Sequence, residues 1–364
     1  MKTVCELNQC AGCMACLEIC PAKAISVKDS IRFYNACIDP AKCISCNRCH
    51  KICPVNALPV LTAPSLWKQG WASERVIRES AASGGIASAI EIAFAEQGGV
   101  VYSCLFQDGT FRFGKAETPE QIQQFTGSKY VKSNPEGIYT DIRKLLTSGR
   151  KVLFAGLPCQ AAAVRNFTGS HKNLYLIDLI CHGTPSPKLL DMFLRDHGVS
   201  LKKINHISFR RKNRFWLVVD RKAVAADGVW DAYTTAFCDG VSYTESCYSC
   251  RYAQLNRVSD LTLGDSWGSE LPLTEQKSGI SLILCQNKKG EELLSMSKLH
   301  LEKVSLEKAV SSNHQLRHAS LRHPKRNTFL NKIEQNGSFQ KSAWQCFPIK
   351  LLKKSMKALL LKLR

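Results

Sequence analysis

Two copies of one cysteine run constrain this chain more than anything else in it. Cys10, Cys13, Cys16 and Cys20-Pro21 follow a C-x2-C-x2-C-x3-C-P spacing, and Cys43, Cys46, Cys49 and Cys53-Pro54 repeat it. The short spacings let one loop wrap a cubane while its amides point at the sulfides, and the proline then turns the chain away. In this arrangement the fourth cysteine of each run ligates the cluster begun by the other. Cys10, Cys13, Cys16 and Cys53 are therefore expected to hold one 4Fe-4S cluster, and Cys43, Cys46, Cys49 and Cys20 a second. Structural zinc and disulfides also use paired C-x2-C, but zinc has no use for the triple phasing. Cys5 and Cys37 fall outside the pattern and read as small residues packed near the clusters.

Eighteen cysteines among 364 residues would mean disulfides outside a cell, whereas cluster ligands must be reduced thiolates, so the expected compartment is the cytoplasm. The N-terminus shows no signal-peptide pattern and no stretch of eighteen apolar residues occurs, so no spanning helix is expected. An apolar share of 45% is that of an ordinary globular protein able to bury two or three cores. The net charge is +20, and residues 298–364 supply +12 of it, with fifteen Lys/Arg against three Glu. No helix-turn-helix, RNP aromatics or zinc finger accompanies that charge, so nucleic acid is not expected as a partner.

Residues 1–60 read as the cluster-binding module and 61–75 as a linker, with Pro59, Pro64 and Gly70 as breakers. Beyond it, Ser83-Gly84-Gly85 precedes an apolar helical face, Ile86, Ile90, Ala93 and Phe94, and then a strand from Val100. A helix start behind glycines aims free amides at one point and suits a pyrophosphate, although a plain serine cap has the same letters. Lys151 to Ala155 and Leu174 to Ile180 read as buried strands that deliver Cys159 and Cys181 at their carboxyl ends, each followed by a helix. Ligands of open α/β sheets bind at that edge. Cys247 and Cys250 form a further C-x2-C pair. The expected fold is α+β: a ferredoxin-like 2x(4Fe-4S) domain, then an α/β domain with a mixed, largely parallel sheet, which the family resemblance of the motifs it carries implies is a flavin-binding reductase domain.

Five ordered motifs carry a resemblance. Ser83-Gly84-Gly85, Gly127-Ser128-Lys129-Tyr130-Val131, Gly156-Leu157-Pro158-Cys159-Gln160, Cys181-His182-Gly183, and Cys247 to Cys250 with Leu263-Gly264-Asp265-Ser266-Trp267-Gly268 resemble the beta-subunit family of coenzyme F(420) hydrogenases and dehydrogenases. The likeness spans about residues 75–310, with the ferredoxin fused in front. It implies a domain in two parts, 76–165 and 166–320, and FAD bound by Ser83, Gly84, Gly85, Ser128, Lys129, Tyr130, Gly156 and Pro158. It also implies a third 4Fe-4S cluster on Cys159, Cys181, Cys247 and Cys250. Ala81 and Ala82 depart from the family's serine-rich first motif. Many bacterial relatives lie among surface-polysaccharide genes, so the resemblance suggests polysaccharide biosynthesis without naming a substrate.

Lys129 is read as a point charge for a phosphate or reduced flavin, Tyr130 as a cover for a ring face, and His182 as a proton donor. The corresponding bland readings are a surface lysine, a half-buried tyrosine and a turn histidine. The expected function is an iron–sulfur flavin-dependent oxidoreductase passing electrons between clusters, FAD and an organic substrate or deazaflavin. The alternative is a non-catalytic electron-transfer subunit docking on a partner. A redox protein or a small acceptor is the expected partner. Residues 340–364 read as a basic amphipathic tail, with Leu352, Met356, Leu359, Leu360 and Leu363 opposite Lys350, Lys353, Lys354 and Lys357. That pattern suits an anionic membrane surface, a membrane-bound partner or the protein's own core.

Overall fold

A computed structural model describes residues 2–362; Met1, Leu363 of the tail's apolar face and Arg364 lie outside it. The N-terminal module is a small antiparallel sheet, β1 (Lys2–Thr3), β2 (Ile25–Asp29) and β3 (Tyr34–Ile38) in the order β1-β3-β2, with two five-residue helices, Ala15–Ile19 and Arg48–Ile52. The repeated run is a repeated backbone. Gly12 and Ser45 occupy left-handed conformations, φ +70° and +56°, as do Met14 and Asn47, which precede the two helices.

The large domain is built on an eight-stranded sheet. Its strands are β4 (Leu66–Ala72), β5 (Val100–Gln107), β6 (Thr110–Ala116), β7 (Val152–Gly156) and β8 (Leu174–Leu179). After a separate hairpin of β9 (Ile207–Arg211), β10 (Arg214–Val219) and β11 (Lys222–Ala223) come β12 (Leu261–Asp265), β13 (Ser281–Cys285) and β14 (Leu299–Glu302). The order is β14-β4-β13-β12-β8-β7-β5-β6. The four strands β5, β7, β8 and β12 run parallel at its centre, and antiparallel strands extend both edges. Alternation sorts the core. Val152 and Phe154 pack toward helices Ile138–Thr147 and Pro158–Thr168, and Leu153 and Ala155 toward helix Ile86–Glu96.

Three readings of domain limits differ from this architecture. The segment read as a linker contains β4, which pairs with both β13 and β14. Gly70 is required there by packing, since a Cβ would meet the His300 carbonyl oxygen. The division at 165/166 falls inside helix Pro158–Thr168. The tail's start at 340 falls inside helix Phe339–Cys346, and the tail packs on the protein's own core, one of the settings its pattern suits. Helices Arg326–Asn336 and Phe339–Cys346 bury Phe329, Phe339, Ala343 and Cys346 in one core with Phe193, Phe209 and Tyr233, and Leu351 joins it from helix Pro348–Lys362.

The module docks on the first helical layer. Glu18 caps helix Ile138–Thr147, accepting from the amides of Gly137 at 2.7 Å and Thr140 at 2.9 Å, an anionic cap on a helix start. Tyr139 Oη donates to the Cys13 carbonyl at 2.5 Å, Tyr252 Oη to the Pro54 carbonyl at 2.7 Å, and Asn166 Nδ2 to the Ala57 carbonyl at 2.7 Å.

Candidate iron–sulfur and flavin site

The eight thiols of the module fall into two neighbourhoods. Burial and then the adjacent Cys16, Cys53 and Cys10 push the Cys13 thiol up, and burial with Cys10, Cys53 and Cys49 does the same to Cys16. Cys10, Cys16 and Cys53 thus share the small module core, while Cys13, close to all three, packs into the core of the large domain. Cys49 is raised by burial first and is close to Cys20 and Cys46. The chain crosses between the runs as the spacing requires, Cys53 returning to the first set and Cys20 to the second. Backbone amides supply hydrogen bonds to sulfur: Gly12 to Cys10 Sγ at 3.4 Å and Ala24 to Cys20 Sγ at 3.3 Å, the donors that cluster-ligating sulfurs use. Cys5 lies against Cys10 and Cys53, and Cys37 Sγ donates to the Asn35 carbonyl at 3.6 Å.

The remaining C-x2-C pair meets the two strand-end cysteines. Cys159 occupies the first turn of helix Pro158–Thr168 behind β7, and Cys181 follows the parallel neighbour β8 by two residues. A tight turn, Glu245–Cys247, brings Cys247 and Cys250 across. Cys159, Cys181, Cys247 and Cys250 line one cavity of about 350 Å³, together with Pro158, Lys132, His182 and Arg257. Burial, then neighbouring thiols of the same set, pushes Cys181 up, and burial pushes Cys159 up to about 12. The Thr184 amide donates to Cys247 Sγ at 3.4 Å. Among the described residues, no three or more His, Cys, Asp or Glu are gathered so as to hold a metal ion directly. The four thiols instead surround a space, as they must when each ligates one corner of a cubane.

The flavin candidates occupy a second neighbourhood. Gly84 and Gly85 (φ +84°) start helix Ile86–Glu96 against the sheet: a Cβ on Gly84 would meet the Gly70 carbonyl oxygen at 2.5 Å, and the Gly84 amide donates to Ser281 Oγ at 3.1 Å. Close packing therefore accounts for Gly84, and its amide is already partnered, unlike the open helix start read from the sequence. Ser83 donates to the Ile280 carbonyl at 3.0 Å, and its own carbonyl accepts from Lys212 Nζ at 3.2 Å. Lys129 Nζ donates to the carbonyls of Phe125 (2.6 Å) and Thr126 (3.1 Å), so it is neither the surface lysine nor a free point charge. Tyr130 stacks on Phe237, with centroids 4.5 Å apart, and lies beside Ser128. Gly156 ends β7 against the Phe154 ring and stays clear of that cavity's lining.

Arg210 ties this neighbourhood together. Its guanidinium grips Asp265 through two bonds, 2.5 and 2.8 Å, reaches Tyr130 Oη at 3.4 Å and lies over the Trp267 ring at 5.6 Å. Asp265 is the last residue of β12, so the pair stands at the carboxyl edge of the parallel strands. His182 faces both this pair and the cysteine cavity. Burial, then His314, pushes its imidazole down to about 4, although part of the residue stays exposed. Its Nδ1 meets Gln315 Nε2 at 2.6 Å, so the neutral ring carries its proton on Nε2. A neutral His182 is a hydrogen-bond donor at neutral pH and a poor store of protons, which narrows the role expected from sequence. Arg210, Lys212 and Lys132 were missed because nothing in their spacing marks them.

Known proteins share both halves of this arrangement. The family of the C terminus of the coenzyme F(420) hydrogenase/dehydrogenase beta subunit matches residues 149–308, and a 4Fe-4S dicluster domain matches residues 9–57. This segment belongs to the coenzyme F(420) hydrogenase/dehydrogenase beta-subunit family. No curated protein matches the chain. Among solved structures, a chain of the xenon-derivatised F(420)-reducing [NiFe] hydrogenase complex from Methanosarcina barkeri is similar, at 20% identity and a TM-score of 0.51. The match covers 76% of this chain and 95% of that one. At that identity the likeness is one of fold. The two family matches make this an iron–sulfur, oxidoreductase-like electron-transfer protein related to the F(420) hydrogenase beta subunit.

Proposed function

We propose that the chain is an iron–sulfur flavin-dependent oxidoreductase in which three clusters lead from the surface to FAD, and FAD serves an organic substrate or a deazaflavin. The observation that carries the reading is the single cavity walled by Cys159, Cys181, Cys247 and Cys250 next to the first ferredoxin set: Ser246 Oγ donates to the Cys10 carbonyl at 3.2 Å. Cys20, Cys43, Cys46 and Cys49 offer the exposed end of the path, and Cys10, Cys13, Cys16 and Cys53 its buried middle. When bound, the clusters carry single electrons and FAD joins two of them into a pair. Arg210 and Lys212 bring cations to Tyr130, Trp267 and the Ser83 loop, a set suited to an anionic, aromatic cofactor. His182 lines the thiol cavity and lies near the Arg210–Asp265 pair. Family resemblance is the support for a substrate in surface-polysaccharide synthesis.

Anaerobically reconstituted protein is expected to hold about twelve irons, at four per cubane, and to release FAD on acid treatment. Cys159→Ser or Cys247→Ser should each remove about four irons and leave the ferredoxin signals. Full iron in both variants, or intact clusters with no flavin, refutes the reading.

The tail supports a second interaction, with a membrane surface. Lys350 pairs with Asp239 at 2.5 Å, Lys354 reaches Thr235, and Lys357 donates to the Gly228 carbonyl at 2.9 Å. These lysines turn inward, against the sequence reading, and leave Ile349 (72% exposed), Leu352, Met356, Leu359 and Leu360 outward. Burying each such side chain is worth about 1.5–3 kcal/mol. Among the described residues no helix is long and apolar enough to cross a membrane. Flotation with liposomes should retain the full chain and lose protein truncated before Phe347; equal binding by both defeats the idea.

A further inference from the structure

Lys132 occupies the seam between the first ferredoxin set and the third thiol set. It follows the Gly-Ser-Lys-Tyr-Val motif by one residue, is 4% exposed, and is anchored by its amide to the Pro185 carbonyl at 2.9 Å. Its ammonium donates to the Ala11 carbonyl at 3.0 Å, inside the loop between Cys10 and Cys13, and lies 5.4 Å from the Tyr34 ring centroid. The stem packs so closely on that loop that a Cβ on Gly12 would meet Lys132 Cδ at 2.9 Å. On its other side Lys132 lines the cavity walled by Cys159, Cys181, Cys247 and Cys250.

A buried cation needs an anion. Among the described residues Lys132 pairs with no carboxylate; its partners are a carbonyl, a ring and the thiols of both sets. The Ala11 carbonyl and the Tyr34 ring hold the ammonium end at the first set, and the same side chain lines the cavity of the other. A cubane with four thiolates carries about two negative charges when oxidised and gains another on reduction. A fixed positive charge at this point favours the reduced form on both sides.

We propose that Lys132 is a positioning residue for electron transfer between the two sets, a shared counter-charge that raises the electron affinity of both clusters and pins the Ala11 loop to the third. The inference rests on the third-cluster reading above. One electron leaves the cluster of Cys10, Cys13, Cys16 and Cys53 and enters that of Cys159, Cys181, Cys247 and Cys250; no bond breaks and no proton moves.

The test is an EPR-monitored redox titration of full-length, anaerobically reconstituted Lys132→Met, with iron counted on the same samples. Iron should stay at about twelve per chain. The reduction equilibria of the two flanking clusters should each fall about tenfold, about 59 mV for a one-electron couple, while the Cys20/Cys43/Cys46/Cys49 cluster moves least. Lys132→Gln keeps a donor for the Ala11 carbonyl without the charge, and serves if the methionine variant loses iron; it should show the same fall. Full iron with unmoved potentials in these variants overturns the inference alone. About eight irons in the unmodified protein overturns the third-cluster reading, and the shared charge with it.

Discussion

The two cysteine runs have one spacing and one backbone, yet opposite surroundings. Cys10, Cys13 and Cys16 are each less than 9% exposed, whereas Cys46 is exposed and Ile44 beside it is 65% exposed. The residues between the ligands differ in kind: Ala11, Gly12, Met14 and Ala15 in the first run, Ile44, Ser45, Asn47 and Arg48 in the second. The small, apolar first loop fits under Lys132 and Tyr139, while the second keeps Lys42, Arg48 and Lys51 in solvent. Identical ligand spacing therefore sets what is bound, and the loop residues set which cluster is inside. That asymmetry gives a symmetric pair of sites a surface end and a buried end, as the proposed path requires.

Losing a ligand from each run sharpens the comparison most. Cys13→Ser and Cys46→Ser should each cost about four irons, but only Cys13→Ser should also lower the thermal midpoint of the whole protein, because its loop is part of the packed interface with helix Ile138–Thr147. Equal melting of the two variants would show that the first run is not structurally coupled to the large domain. Next in size is Glu18→Ala, which removes the cap from that helix. A loss of about 1–2 kcal/mol in chemical denaturation is expected, against a change within about 0.5 kcal/mol for Lys51→Ala on the exposed run.

A rate effect should follow at the exposed end. Charge reversal at Lys42, Arg48 and Lys51 together should slow reduction by an acidic one-electron carrier several-fold at low ionic strength, with the difference fading as salt is added. Stopped-flow rates that ignore both charge and salt would move the surface end of the path elsewhere. The smallest effect belongs to the module's contact with helix Arg326–Asn336. A hydrogen bond from Arg32 Nε to Glu334 Oε1, 2.7 Å, holds the Glu334 carboxyl below the usual range. Its contribution is present above the ordinary glutamate value and is lost as pH falls through the lowered one. The carboxylate is half exposed, so Glu334→Gln should cost less than about 0.5 kcal/mol at pH 7, and less still as pH falls through the lowered value.

Much of the site was legible because cluster ligation is a local code. The dicluster module, the strand-end positions of Cys159 and Cys181 and the parallel heart of the sheet all follow from spacing and period. β4 was hidden by its prolines and by Gly70, which reads as a breaker until the sheet around it demands a residue without a Cβ. The tail's lysines read as a solvent face because helical periodicity reports that two faces differ, not which one is turned inward. Lys129 and Gly84 read as cofactor contacts, while packing and hydrogen bonding now account for their chemistry.

Residue order alone carried the dicluster domain and the family resemblance, since those depend on groups a few positions apart. Contacts between distant segments settled the rest: which run is buried, the meeting of Cys159 and Cys181 with Cys247 and Cys250, the Arg210–Asp265 pair, and Lys132 between two thiol sets. The physical reason is range. A coordination loop is closed by neighbours in sequence, whereas a buried charge is tolerated only where tertiary packing brings its counter-charge to it.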